Sequence, residues 1–344
     1  MKEEYYYQQM NKAQKAVYYA MYEGFGQILP GFFVPRLDGR ELTDIFFRLR
    51  LDHPEIFYVN TFTYRFTAEA EYVQMIPEYM FEKKKIKEHQ KALEGRIARL
   101  VRGAEAMDVW EKEKYVHDFI CNNVTYDKLK KQYSHEIIGP LTAGVGVCEG
   151  IAKTVKILCN RLGLDCNIAV SGANKEKGIK YRHAWNIVKI QGNWYHLDAT
   201  FDNSLGRYGA KRFDYLNLCD REIFRDHEPL LYSIPPCIQE GDCYYRKKRL
   251  SLTKVEDVGR RLGAVLRKKQ DYFVFQWRGG GLNREILARI LEDAVKTAAL
   301  RGKYVHMSMN PGQLVIELSL INKKDDGGIC VEAANEGELL DGKD

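Results

Sequence analysis

The sequence predicts an α+β fold. A helix opening at Cys148 packs on an antiparallel sheet, helices precede this core, and a small α+β domain follows it. Three observations carry the prediction. Ile151, Val155, Leu158 and Leu162 recur at helical spacing directly after Gly144-Val-Gly-Val-Cys-Glu-Gly150, and Gly163 supplies a C-cap. Tyr181–Ile190 and Trp194–Asp198 alternate apolar and polar residues about the tight turn Gln191-Gly-Asn193, as paired strands do. Beyond Thr253, two amphipathic helices and three strand-like segments follow in the order α-β-α-β-β.

Taken in order, residues 3–25 read as a Tyr-rich helix with Met10, Ala13, Val17 and Met21 on one face, ended by Gly24, Gly26, Pro30 and Gly31. Leu42, Ile45, Phe46 and Leu49 mark a second helix from Asp38 to Leu51. The β-branched and aromatic run Ile56–Phe66 reads as strand or hairpin. Ile86, Leu93, Ile97 and Leu100 form the apolar stripe of a charged helix over roughly 80–102. Trp110, Val116, Phe119 and Ile120 point inward from another over about 106–123. Arg246-Lys-Lys-Arg249 is a short basic run suited to a linker. Thr253-Lys-Val-Glu256 has capping-box spacing, Asp271–Trp277 is a strand, and Asn283 caps a helix with Leu287, Ile290, Leu291, Ala294 and Ala298 on one face. Tyr304–Met309 and Leu314–Leu320 flank Asn310-Pro-Gly312 as a hairpin. The expected division is a mainly helical region 1–104, a core domain 105–245 containing the Cys148 helix and the hairpin, a small α+β domain 250–321 and a mobile acidic tail 322–344.

Composition narrows the class. The apolar fraction is 45%, enough to build a core. No apolar run approaches the ~20 residues that span a bilayer, and the acidic start Met1-Lys-Glu-Glu4 is unlike a signal peptide. The expectation is a cytoplasmic protein with no membrane partner. The net charge is +6, but Lys and Arg lie beside Glu on helix faces, as in Glu111-Lys-Glu-Lys114, so no nucleic-acid partner is expected. The eight cysteines contain no Cys-x-x-Cys pair. Cys148 and Cys159 lie about three helical turns apart and cannot share an ion. No metal and no cofactor are expected, and most cysteines read as small buried apolar residues.

Cys148 reads differently. At a helix N-terminus, free N–H groups and the macrodipole favour a thiolate and can stabilise an oxyanion. The preceding glycines let the chain turn sharply and leave the sulfur exposed. In the hairpin, pairing about the turn puts residue 183 close to residue 200, which makes His183 and Asp198 diagonal neighbours on one face. There Asp198 orients His183, and His183 takes the thiol proton. Each residue alone also reads as structural: a buried helix-start Cys, a half-exposed strand His, an end-of-strand Asp. The combination points to nucleophilic catalysis. Thr142 and Tyr126 are candidates for a second oxyanion donor. Trp185 and Trp194 read as core or cleft wall, and His196 as structural.

Gly-Val-Cys-Glu-Gly, His-Ala-Trp-Asn and Trp-Tyr-His-Leu-Asp-Ala-Thr-Phe-Asp resemble the bacterial transglutaminase-like family, in the branch related to cytokinesis-associated proteins. The likeness covers roughly 105–230, with Asp52–Phe57, Phe213–Asp220 and Asp226-His227 as flanking pieces. It implies a papain-like core with Cys148 as nucleophile, His183 as base and Asp198 as third member. Phe201 stands where the family often has Trp. The superfamily includes transamidases, peptidases, deglycosylating enzymes and inactive binding modules, so the resemblance names no substrate. The expected function is thiol-dependent acyl transfer on a protein or peptide amide, by hydrolysis or transamidation. The alternative is a non-catalytic peptide-binding or scaffold module using the same cleft. Partner proteins would bind the N-terminal helices or the C-terminal domain.

Overall fold

The computed structural model describes residues 4–206, 209–322 and 331–333. The chain is α+β and forms two compact units, Met1–Gln191 and Gly192–Asp344. These units divide at 191/192, whereas the sequence reading divides near 104 and at 245–250.

In the first unit, the helix expected over 3–25 is broken near Asn11. A capping box between Asn11 and Gln14 opens α2 (Lys12–Gly26) after a short α1 (Tyr5–Gln8). β1 (Phe32–Pro35) follows. Asp38 then caps α3 (Gly39–Asp52) by accepting from the N–H groups of Arg40 and Glu41. β2 (Val59–Arg65) pairs antiparallel with β3 (Tyr72–Tyr79), whose other edge takes β1. α4 (Lys83–Arg102) buries Ile86, Leu93 and Ile97, and α5 (Val109–Asn123) buries Trp110, Val116 and Ile120. β4 (Thr125–Tyr126) lies parallel to β5 (Val145–Gly146). α6 (Cys148–Arg161) comes next, and then β6 (Cys166–Ser171) and β7 (His183–Ile190) form an antiparallel pair.

One buried carboxylate ties these pieces together. Asp52 is 3% exposed and sits at the end of α3. It accepts from the N–H of Tyr6 (3.1 Å) and Tyr7 (3.0 Å) and from the Tyr18 hydroxyl (2.9 Å). The ammonium of Lys156, from α6, lies 3.7 Å away. The Tyr6 hydroxyl donates to the carbonyl of Ile168 in β6. The start of the chain is thus pinned to α3, α6 and β6 by polar groups that burial would otherwise penalise.

The second unit begins with β8 (Asn193–Leu197) and α7 (Ala199–Leu205), followed by β9 (Leu216–Leu218), which pairs antiparallel with β8. The short helices α8 (Asp220–Ile223) and α9 (Tyr244–Lys247) come next. β10 (Ser251–Leu252), α10 (Val255–Arg267), β11 (Tyr272–Trp277), α11 (Arg284–Ala299), β12 (Lys303–Asn310), β13 (Val315–Asn322) and β14 (Val331–Ala333) complete it. Their five strands run in the order β10-β11-β13-β12-β14. Val258, Leu262, Ile290 and Ala294 of the two helices share a core with Phe275 and Ile316 of the sheet.

Three sequence expectations change here. Ser251 and Leu252 pair with β11, which delays the helix start to Lys254, whose side chain makes no cap bond. Glu256 is then two residues beyond the cap, and the expected Thr253–Glu256 capping box does not form. Arg246, read as part of a linker, instead bonds Glu222 and donates to the carbonyl of Glu240 at 2.7 Å. Within the expected tail, Val331–Ala333 pair parallel with Met307–Met309; the rest of 323–344 lies outside the described residues. Buried polar contacts also join the 212–226 stretch to the last hairpin. The Asn310 amide donates to Asp214 (3.0 Å) and to the Tyr215 hydroxyl (3.2 Å). Arg212 bridges Asp214 and Glu317. Among the described residues, no helix is long and apolar enough to cross a membrane.

Replacing Asp52 with Ala strands Lys156 and two backbone donors inside the first unit. The expected cost is about 3 kcal/mol, read as a lowered urea midpoint for loss of first-unit structure. A loss below about 1 kcal/mol would show that the amino-terminal tie is peripheral.

Candidate active site

Cys148 is the first residue of α6, and Val147 caps the helix in extended conformation. Gly144 takes φ +65°, a left-handed turn that glycine adopts without steric penalty. Gly150 is required for a different reason: a Cβ there would stand 2.2 Å from the Ser134 carbonyl oxygen. The turn around Ser134 also accepts the Val147 N–H at 3.0 Å, so it seats the start of α6 directly. Asp127 holds that turn by accepting from the N–H of Leu129 and Lys131 and from the Ser134 hydroxyl.

The Cys148 thiol is partly exposed, and its sulfur lies 4.0 Å from the carbonyl oxygen of Arg182. His183 follows at once and opens β7, where it pairs in register with Ser171. The His183 ring stacks on Trp185, with centroids 5.7 Å apart and planes at 19°. A buried amide locks this helix to this strand: Asn186 Nδ2 donates to the carbonyl of Ala152 at 2.9 Å. Cys148 and Ala152 lie one turn apart on α6, and His183 and Asn186 lie three residues apart on β7. The first unit therefore brings the helix start that carries Cys148 against the strand start that carries His183.

Charges crowd beside the nucleophile. Glu149 faces Lys153 (2.7 Å), His135 (3.5 Å) and Arg50 (3.7 Å), while Lys153 also contacts Glu136 at 2.8 Å and Arg50 bonds Glu136. Burial opposes ionisation of Glu149, but Lys153, His135 and Arg50 outweigh it and hold its carboxyl well below the usual 4.5. Arg50, His135, Glu136 and Glu149 also line a cavity of about 320 Å³, together with Lys130 and Asn60.

Asp198 belongs to the second unit, where it caps α7. Its Oδ1 accepts from the N–H of Thr200 (2.8 Å) and Phe201 (3.1 Å). Its Oδ2 lies 3.0 Å from His227 Nε2, and His227 Nδ1 lies 2.7 Å from Asp226 Oδ1. The far oxygen of Asp226 accepts from the Tyr215 hydroxyl (2.8 Å) and the Gln313 amide (2.9 Å). All three members of the Asp198–His227–Asp226 chain are buried side chains. Both ring nitrogens of His227 thus face carboxylates, one on each side of the ring.

Sequence reasoning did not assign His227 or Asn186 a role, although the Asp226-His227 pair and the His-Ala-Trp-Asn motif contain them. A contact between residues far apart in sequence leaves no local periodicity to read. Of the two oxyanion candidates, the Thr142 hydroxyl donates to the Ile138 carbonyl within its own turn. Tyr126 lies on β4 opposite Gly146, two residues before Cys148. Trp185 is buried, as read from its strand position, and His196 is buried against Asp220.

Residues 95–199 match the model of the transglutaminase-like superfamily. Cys148, His183 and Asp198 all fall inside that match. The kyphoscoliosis peptidases of Mus musculus and Homo sapiens are each 25% identical over 124 residues, covering 33% of this chain and 19% of theirs. The chain thus spans about a fifth of the length of these curated relatives. Among solved structures, a crystal structure titled as a TGase aligns with TM-score 0.28 and 16% identity, over 41% of this chain and 44% of that one. A protein titled as a candidate cysteine protease from Cytophaga hutchinsonii aligns with TM-score 0.26 and 16% identity, over 40% of this chain and 61% of that one.

The Glu149 environment has a definite pH consequence. A carboxyl held below its unfolded value adds stability that is present above about pH 4.5 and is lost as pH falls towards the folded value. Glu149→Gln is expected to lower stability at neutral pH by about 2 kcal/mol and to flatten the acid limb of the stability curve. Urea melts of both proteins between about pH 7 and pH 3 check this. Parallel acid limbs would show that Glu149 gains nothing from Lys153, Arg50 and His135.

Proposed function

We propose that this protein is a cysteine-dependent acyl-transfer enzyme acting on a protein or peptide amide, with Cys148 as nucleophile, His183 as base and Asp198 as the orienting carboxylate. The observation that carries this reading is the seating of Cys148 at the start of α6, with its sulfur against the backbone that leads directly into His183. Supporting it, residues 95–199 match a superfamily of thiol-dependent peptidases and acyltransferases.

The reaction follows from these roles. His183 takes the Cys148 proton, and the thiolate attacks the amide carbonyl carbon. The free N–H groups at the start of α6 stabilise the oxyanion. The carbon–nitrogen bond then breaks, the amine leaves with the proton from His183, and a Cys148 thioester remains. Water releases a carboxylic acid, the outcome in a peptidase or amidase. A primary amine releases a new amide, the outcome in a transglutaminase. We favour hydrolysis, because water requires no built acceptor site, and the mouse and human relatives are named as peptidases.

His227 acts as a positioning residue in this scheme. It fixes one Asp198 oxygen while the α7 backbone fixes the other, so the carboxylate is held against rotation.

Activity-based labelling with acyl-amide electrophiles, followed by mass mapping, tests the assignment. Cys148 is expected to label first among the cysteines, and His183→Ala to abolish nearly all turnover. Asp198→Asn is expected to reduce turnover strongly, and the Asp198→Asn/His183→Ala pair to be little worse than His183→Ala alone, because the members act as a unit. Multiplicative losses would separate their roles. A Cys148 that lags behind the other thiols would leave the non-catalytic binding reading in its place.

A further inference from the structure

The second unit gathers three metal-ligating side chains that no sequence motif connects. One ligand atom from each of His196, Asp220 and Cys237 lies within 4.8 Å of the other two. His196 Nε2 is 2.8 Å from Asp220 Oδ1. The other Asp220 oxygen accepts the Cys237 N–H at 3.0 Å, and the Asp220 N–H donates to the Cys237 carbonyl at 2.7 Å. Imidazole and thiol are fully buried, whereas the Asp220 side chain is 36% exposed.

We propose that His196, Asp220 and Cys237 form a binding site for a zinc-class divalent cation, with water as the fourth ligand on the exposed Asp220 side. The three donors come from β8, from the first residue of α8 and from the middle of the 224–243 segment. That segment runs for 20 residues without helix or extended strand. Connections longer than about 12–15 residues are uncommon in compact proteins and are usually functional. An ion at Cys237 would cross-link the middle of this segment to the sheet and to α8.

The donor set suits such an ion. Imidazole, carboxylate and thiolate are the usual zinc ligands, at about 2.0–2.3 Å from the metal. Tetrahedral ligands at those lengths stand about 3.3–3.7 Å apart. The His196–Asp220 contact therefore opens slightly, and the sulfur, within 4.8 Å of both partners, settles at that spacing. Burial holds His196 towards its neutral form, with Asp220 opposing, and a neutral imidazole is what a cation requires. Burial, with Asp220 and Cys219, keeps the Cys237 thiol protonated in the metal-free protein. On binding, that proton leaves to solvent, the S–metal bond forms, and His196 carries its own proton on Nδ1. The cation then neutralises a thiolate and a carboxylate that burial would otherwise keep apart.

The test uses the full chain carrying Cys148→Ala, so that no signal arises at the reactive thiol, and it does not depend on the proposed catalysis. The chain is stripped with chelator and titrated with Co²⁺ without oxygen. Thiolate-to-cobalt absorption is expected to saturate at about one Co²⁺ per chain and to disappear on addition of Zn²⁺. Cys237→Ser should remove the thiolate band, and Asp220→Asn should weaken binding by at least about tenfold. Cys159→Ser and Cys219→Ser should leave the band in place. Should Cys237→Ser fail to fold, Zn²⁺ must still raise the melting temperature of the Cys148→Ala chain, and the exposed change Asp220→Asn must abolish that rise. Absence of a cobalt–thiolate band, or a band that survives Cys237→Ser, overturns the proposal.

Discussion

Two cations and two carboxylates closed in beside Cys148 are the constraint on which the first unit depends. Arg50 comes from α3, Glu136 from the turn that supports α6, and Glu149 and Lys153 from α6 itself. Lys153 is fully buried, so it must remain paired; an uncompensated ammonium there costs several kcal/mol. The quartet is satisfied only when α3, the turn and the first two turns of α6 are all in place. That condition also fixes where Cys148 stands. Gly150 acts in the same direction, because only a residue without Cβ lets α6 approach the Ser134 carbonyl.

The second unit uses the same device around Asp198. Its two oxygens are held separately, one by the α7 backbone and one by His227, and His227 is held in turn by Asp226. Gln313 and Tyr215 then complete Asp226, and Asn310 reaches Tyr215. A chain of hydrogen bonds thus runs from Asp198 to the last β-hairpin. In the proposed mechanism, this gives the C-terminal elements an influence on the orienting carboxylate.

The curated relatives share about a third of this chain and about a fifth of their own length. The β10–β14 sheet and its two helices lie outside the 95–199 match.

The sequence by itself determined the elements and the chemically marked residues. Periodicity placed α3, α4, α5 and α11 to within a few residues, because each buries one apolar stripe, and Asp38, Asp108 and Asn283 cap three of them. Glycine placement marked Cys148 as the first residue of a helix. Where local signals competed, the tertiary structure decided. Asn11 broke the first helix, and pairing of Ser251 and Leu252 with β11 displaced the expected cap at Thr253. The partners of Asp52, Glu149, Asp198 and Asp220 were likewise decided only by the fold, since each lies tens of residues from at least one group that satisfies it. Hydrophobic spacing reports which face of an element is buried. The pairing of buried charges depends on which elements meet, and only the folded chain settles that.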